Sequence, residues 1–301
     1  MSDACDDLLD TASRLSARLG AGVLVFDGAM GTELLARRPG VAGLPAALTV
    51  TDSELVASVH RDYLAAGADV IGTNTFGANR VTLAGHGAEL SVERLNRDAV
   101  ALARRELELA GGSALLGGTI APAAGPHAAA RDATAGRDAL IEQAECLADA
   151  GVDLIVFETF SALDELVPVL EVLALEVPLL ASFTFSADGS TFAGDALAQV
   201  AADTTALGVA ALGANCLLGP TDLRPVAAAL VRASALPIFV QPVGIPRSDE
   251  AVPGGRSAAA QAWARGAWAL VSRGAAMVGG CCGTTPAHIA ALVAERSRAG
   301  G

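Results

Sequence analysis

Near the end of the chain, Gly279-Gly280-Cys281-Cys282-Gly283-Thr284 sets two adjacent thiols between glycines, in a sequence with only five cysteines. Neighbouring residues of a strand point to opposite faces, so only an irregular turn brings both sulfurs to one place. They read as ligands. A third thiol, Cys216, ends the apolar run Val209-Ala210-Ala211-Leu212-Gly213-Ala214-Asn215, and three thiolates can meet if the fold carries that run beside residues 279–282. Zinc suits such a donor set, because three protein sulfurs at about 2.3 Å leave its fourth tetrahedral position open to a substrate. Two blander readings remain: hydrophobic cysteines buried in a core, and a redox pair, which the strain of bonding neighbouring cysteines disfavours. Cys146, in the helical stretch Glu142-Gln143-Ala144-Glu145-Cys146-Leu147, and Cys5, in the acidic start, read as structural or incidental.

Other reactive side chains fall at the ends of short apolar runs. Phe26-Asp27-Gly28-Ala29-Met30-Gly31-Thr32 places a carboxylate before a glycine turn whose free N–H groups can hold an anion. Glu158 ends Asp153-Leu154-Ile155-Val156-Phe157, where burial of a carboxylate is costly without a cation. A substrate ammonium or an arginine could supply that cation. Gly72-Thr73-Asn74-Thr75-Phe76 offers an amide and hydroxyls suited to orienting a ligand or supporting a metal-bound thiolate, and plain turn chemistry also explains it. Asn215, just before a proposed ligand, suits the same supporting role. His60, His86 and His288 read as packing or surface residues, which leaves His127, after Gly125-Pro126, as the histidine that could reach the same region.

These positions need a scaffold that gathers them. Strand-like runs at 22–27, 69–74, 114–120, 153–158, 178–184, 209–215, 236–241 and 275–280 each precede a segment with helical spacing of apolar residues, eight βα units in all. The pattern predicts an α/β fold, a single (β/α)8 TIM barrel over residues 21–298, with residues 1–20 as an N-terminal helix or tail. A doubly wound open sheet shares the alternation but rarely runs to eight regular units. In a barrel the carboxyl ends of the strands converge on one mouth, so Asp27, Asn74, Glu158, Asn215, Cys216, Cys281 and Cys282 would meet there.

Composition narrows the chemistry further. The net charge of −13 repels a phosphate backbone, which argues against nucleic acid as a partner. All 20 basic residues are arginine, so Schiff-base and pyridoxal-phosphate mechanisms, which need a lysine, are excluded. No apolar stretch approaches the roughly 18 residues of a membrane helix, and the acidic start is unlike a secretory signal, which points to the cytoplasm and reduced cysteines.

The motifs Asp27-Gly28-Ala29-Met30-Gly31-Thr32, Gly72-Thr73-Asn74-Thr75-Phe76, Glu158-Thr159-Phe160, Ala214-Asn215-Cys216 and Gly279-Gly280-Cys281-Cys282-Gly283-Thr284 together resemble those of the homocysteine S-methyltransferases. The resemblance runs over about residues 20–295 and implies a zinc (β/α)8 barrel that methylates homocysteine to methionine. It implies Cys216, Cys281 and Cys282 as zinc ligands, Asp27 and Glu158 as holders of the homocysteine amino group, and the amides around Gly28 as holders of its carboxylate. The implied methyl donor is a sulfonium, S-methylmethionine or S-adenosylmethionine. The motifs Asp-Gly-Ala-Met-Gly-Thr and Glu-Thr-Phe also look like the homocysteine module of cobalamin-dependent methionine synthase, which would take methyl from a separate methylcorrinoid protein. A thiol-redox protein and a non-catalytic zinc barrel are the readings from other classes. One departure stands out: where the family usually has Pro-Asn-Ala-Gly or Pro-Asn-Ser-Gly after the seventh strand, this chain reads Val240-Gln241-Pro242-Val243-Gly244-Ile245-Pro246, without the asparagine.

Overall fold

The structure, a computed structural model, describes residues 3–40, 43–87, 90–124, 132–244 and 255–300, with residues 3–10 and 255–257 described by backbone alone. His127, Ile245 and Pro246 lie outside the described residues, as does the side chain of Cys5.

Eight parallel strands form one sheet: β1 (Leu24–Val25), β2 (Val70–Gly72), β3 (Leu115–Ile120), β4 (Leu154–Phe160), β5 (Leu179–Phe183), β6 (Ala211–Asn215), β7 (Ile238–Gln241) and β8 (Ala275–Val278). Each pairs with the next in sequence from β2 to β8, and β8 pairs with β1. A parallel bridge between Phe26 and Val70 joins β1 to β2 and completes the ring. The sheet is therefore the predicted barrel.

Helices alternate with the strands because parallel neighbours need long crossovers that cover the outer face. After the added α1 (Asp3–Ala21), these are α2 (Gly31–Arg37), α3 (Leu48–Thr51), α4 (Ser53–Ala65), α5 (Arg80–Gly85), α6 (Val92–Leu109), α7 (Ala133–Asp149), α8 (Leu163–Leu170), α9 (Leu197–Ala206), α10 (Pro220–Ala233), α11 (Gly255–Val271) and α12 (Pro286–Ala299). No described helix is long and apolar enough to cross a membrane. Glycine ends several of them: Gly67 after α4 and Gly151 after α7 adopt φ of +89° and +92°, left-handed values that let the chain turn into the next strand.

Alternate strand residues fill two separate cores. Outward side chains pack under the helices, whereas Leu24, Phe26, Leu154, Val156, Phe239 and Met277 point inward and fill the barrel's interior. Leu15 and Leu19 of α1 join that inner cluster. Arg14 and Arg18 on the same helix pair with Asp153 and Asp69, at 2.9 and 3.1 Å, so α1 is fastened to the barrel beside those strand starts. The opposite end of the inner layer is left for polar residues. Continuing the two-residue alternation, Val156 leads to Glu158 and Phe239 leads to Gln241, each standing above the apolar plug at a strand's carboxyl end.

Candidate active site

Cys216, Cys281 and Cys282 come together at that end: their sulfurs all lie within 4.8 Å of one another. Tetrahedral coordination at the Zn–S distance of about 2.3 Å would set sulfurs about 3.8 Å apart, so the cluster fits a zinc ion with little adjustment. All three are free thiols. Cys282 is held down to about 3 by hydrogen bonds from Cys216 and Cys281, while Cys281, engaged by Cys216 and Cys282 and then by burial, is pushed well above the usual thiol range. Three thiols gathered this closely are a soft donor set suited to zinc.

Local geometry explains how the thiols face one another. Cys216 sits just past β6 in the left-handed region at φ 64°, and Leu217 follows at 53°, a tight reversal that non-glycine residues rarely adopt. Its N–H donates to Gln241 O at 3.2 Å, and Leu218 N donates to Cys216 O at 2.6 Å. The 281–284 turn is clamped from two sides. Cys281 N donates to Pro242 O at 3.0 Å and Gly244 N to Cys282 O at 2.9 Å, so the stretch that departs from the family pattern grips the thiol pair through its backbone. Gly244 is needed for that approach, since a Cβ there would lie 2.7 Å from Gly283 C.

The β1 loop closes the other side. Gly280 N donates to Asp27 O at 2.9 Å, and Gly283 N donates to Thr32 Oγ1 at 3.0 Å. Thr284 Oγ1 accepts from Ala29 N at 3.0 Å and donates to Cys281 O at 2.7 Å. Beneath them the chain's single tyrosine, Tyr63 on α4, donates from its hydroxyl to Ala29 O at 2.9 Å and lies 3.3 Å from Thr284 O. A Cβ on Gly28 would meet Thr284 Oγ1 at 2.6 Å and the Tyr63 hydroxyl at 2.7 Å, so only glycine fits this junction. Tyr63 and Thr32 escape sequence reasoning. The only local cue for Tyr63 is a lone aromatic at helical spacing from Val56 and Val59.

Asn215 connects the thiols to the carboxylates. Its Nδ2 donates to Thr159 Oγ1 at 2.8 Å and approaches Glu158 Oε2 at 3.4 Å and Cys281 Sγ at 3.8 Å. Its Oδ1 accepts from Thr159 N at 3.0 Å and Ser182 Oγ at 2.8 Å. Thr159 is thereby held at φ 66°, strained for a β-branched residue, beside an irregularity in the β4–β5 pairing. This kink follows Glu158 directly and fixes where its carboxylate goes. Asn215→Ala should release the kink and strip an N–H from Cys281. We expect zinc affinity, measured by chelator competition, to fall about 10- to 100-fold, the usual cost of losing a ligand's supporting contact.

Asp27, Gly28, Thr73, Asn74, Glu158, Gln241 and the three cysteines all line one cavity of about 400 Å³. Burial raises Asp27 to about 7 against the opposing Gly72 N–H, which donates to Oδ2 at 2.8 Å. Burial, then the charges of Asp27 and Cys282, raises Glu158 to about 8. Among the described residues no lining side chain is cationic, so neither carboxylate meets an arginine there. Asn74 donates its Nδ2 to Pro45 O and Thr49 Oγ1, at 2.9 and 3.1 Å, bracing the segment before α4. Thr73 Oγ1 lies 2.6 Å from Thr75 Oγ1 and accepts from Thr119 N at 3.1 Å. His60 is fully buried, with neither ring nitrogen hydrogen-bonded among the described residues, and His288 caps α12 through Thr285; both are packing residues away from the cavity.

Fold and site together define a barrel enzyme built around a zinc-type trithiolate centre. Residues 24–296 match the family described as Homocysteine S-methyltransferase, and the chain belongs to that family. The crystal structure of the homocysteine methyltransferase MmuM from Escherichia coli in its metallated form is similar over 91% of this chain and 96% of that one, at 29% identity and a TM-score of 0.76. Its oxidized form matches at 30% identity and a TM-score of 0.77. The methionine synthase of Mycobacterium tuberculosis is 31% identical over 97% of this chain, and that match spans 26% of the larger protein. The chain thus spans about a quarter of the length of the curated relatives it matches.

Proposed function

We propose that the protein transfers a methyl group from a sulfonium donor, S-methylmethionine or S-adenosylmethionine, to the thiol of homocysteine, forming methionine. One observation carries the reading: a trithiolate cluster, the buried Asp27 and the half-buried Glu158 open onto the same cavity, among whose described lining residues there is no cation. Carboxyl groups drawn out of water in this way ionise readily only beside a positive charge. The homocysteine ammonium supplies it to Asp27 and Glu158, and the amides of the Gly28 loop are the receptors for the substrate carboxylate.

Zinc, when bound by Cys216, Cys281 and Cys282, keeps the substrate thiol deprotonated and nucleophilic at neutral pH without a histidine base. The protein's own part is orientation. Asp27 and Glu158 hold the amino acid by its head, so the thiol end can reach the cysteine cluster, and the walls around Met30, Leu35, Leu44 and Phe76 keep water from the methyl group. Transfer forms a carbon–sulfur bond to homocysteine and breaks the methyl–sulfonium bond of the donor, whose electron pair leaves on a neutral thioether. An anionic cavity attracts the cationic donor, which is why the sulfonium reading ranks first.

The similarity to methionine synthases supports a second reading, in which the methyl group comes from a separate methylcorrinoid protein. Isotope-labelled homocysteine incubated with zinc-loaded protein and each donor separates them. Labelled methionine with S-methylmethionine or S-adenosylmethionine is the expected result; product with methylcobalamin alone would overturn the donor assignment. Bound zinc near one ion per chain, with no methionine from any of the three donors, would instead favour a non-catalytic zinc barrel.

A further inference from the structure

Gln241 ends β7 and is 7% exposed, and its side chain lines the cavity that holds Asp27, Glu158 and the thiols. Its Oε1 is buried without a hydrogen-bond partner among the described residues. An unpaired buried carbonyl is destabilising, so its retention in a functional cavity calls for a reason. The contrast with Asn215 is instructive. The two residues pair in register on adjacent parallel strands, so both amides project inward from the same level. Asn215 is consumed by Thr159, Ser182 and Glu158, whereas Gln241 Oε1 has no partner among the described residues and sits in the cavity wall, where a turn about the last side-chain bond presents it to a ligand.

A buried acceptor in that position lacks a donor. An ammonium carries three N–H groups, and two carboxylates satisfy two of them. We infer that the side-chain carbonyl of Gln241 is the third acceptor for the ammonium of the bound amino acid, completing its coordination with Asp27 and Glu158. Gln241 is then a binding residue that selects α-amino thiols over thiols lacking the amino group. This inference rests on the reading of the cavity as a homocysteine site. It also gives this chain a polar group next to the stretch where the family's asparagine is missing.

Gln241→Met is close in shape and removes the amide; Gln241→Leu serves as a second variant should the first fail to fold. Calorimetric titration of zinc-loaded protein compares homocysteine with 4-mercaptobutanoate, which keeps the thiol and carboxylate and lacks the ammonium. We expect both variants to retain the wild-type zinc stoichiometry and to bind homocysteine about 10- to 100-fold more weakly, the range for hydrogen bonds to charged groups. Binding of 4-mercaptobutanoate should stay within about twofold of wild type on the same scale. Unchanged homocysteine affinity, or an equal loss for both thiols, overturns the ammonium contact while leaving the homocysteine site standing. A zinc-replete wild-type protein that binds no homocysteine overturns the underlying reading as well, and that outcome shows in the wild-type titration alone.

Discussion

Alanine at any one of Cys216, Cys281 or Cys282 should reduce bound zinc from about one ion per chain to a small fraction after dialysis and lower methyl transfer by at least about a thousandfold. A centre with three protein ligands cannot lose one and keep an open position for substrate, because water then takes the place of a thiolate and the remaining charge no longer favours a nucleophilic sulfur. Cys281 should be the most severe, since it is the most deeply set of the three and the one Asn215 approaches. Cys146→Ala is the control: that thiol is partly buried on α7, is not in the cluster, and its loss should change neither metal nor rate. Cys216→Gly sharpens the test. Cys216 occupies a left-handed conformation that costs a non-glycine residue about 1 kcal/mol, so glycine should lose zinc while leaving the metal-free protein no less stable. Metal analysis beside thermal melting of the metal-free forms reads both effects; full zinc content in any of the three alanine variants would remove the trithiolate centre from the mechanism.

The convergence of these sulfurs could be read in the sequence because it follows from topology. Once eight βα units are recognised, the residue after each strand must face the mouth, and the distance along the chain between Cys216 and Cys281 ceases to matter. Glu158 was legible for the same reason, being two and four residues on from the inward Val156 and Leu154. What holds these groups in place was not. The clasp of Tyr63 on Ala29 and Thr284, the strained Thr159 pinned by Asn215, and the grip of Pro242 and Gly244 on the thiol pair are contacts between distant segments with no local period to announce them. Asn74 shows the reverse difficulty. Its place at a strand end marks it as a site residue and it does line the cavity, yet its Nδ2 is held by Pro45 and Thr49, a partnership visible only once the 45–51 segment is folded against the end of β2. Nothing within residues 1–20 points to the partners of Arg14 and Arg18 either, which are Asp153 and Asp69 at distant strand starts.

Asp27→Asn should make the ligand-free protein more stable and a poorer binder of homocysteine. Burial lifts the Asp27 carboxyl from its ordinary 3.8 to about 7, so its folded value lies above its unfolded one. Its contribution to stability is then fully present below about pH 4 and is lost as the pH rises through 7, because ionisation is easier in the unfolded chain. Asparagine keeps an oxygen for the Gly72 N–H and carries no charge. The melting advantage of Asp27→Asn over wild type should therefore be small at pH 4, grow steadily to about pH 7 and level off above it, reaching a few kcal/mol by the linkage relation. Metal-free protein is the right material, since zinc loss in acid would otherwise enter the comparison. Substrate affinity should move the other way. Binding an ammonium requires the ionised carboxylates, so wild-type affinity for homocysteine should rise between pH 6 and pH 8, and Asp27→Asn should weaken it about 10- to 100-fold and flatten that rise. Glu158→Gln should act alike on affinity with zinc retained. A variant that melts lower than wild type at pH 8, or binds homocysteine as well, would mean that Asp27 is already neutralised by something other than the substrate, and the cation that draws the amino acid into the barrel would have to be sought elsewhere.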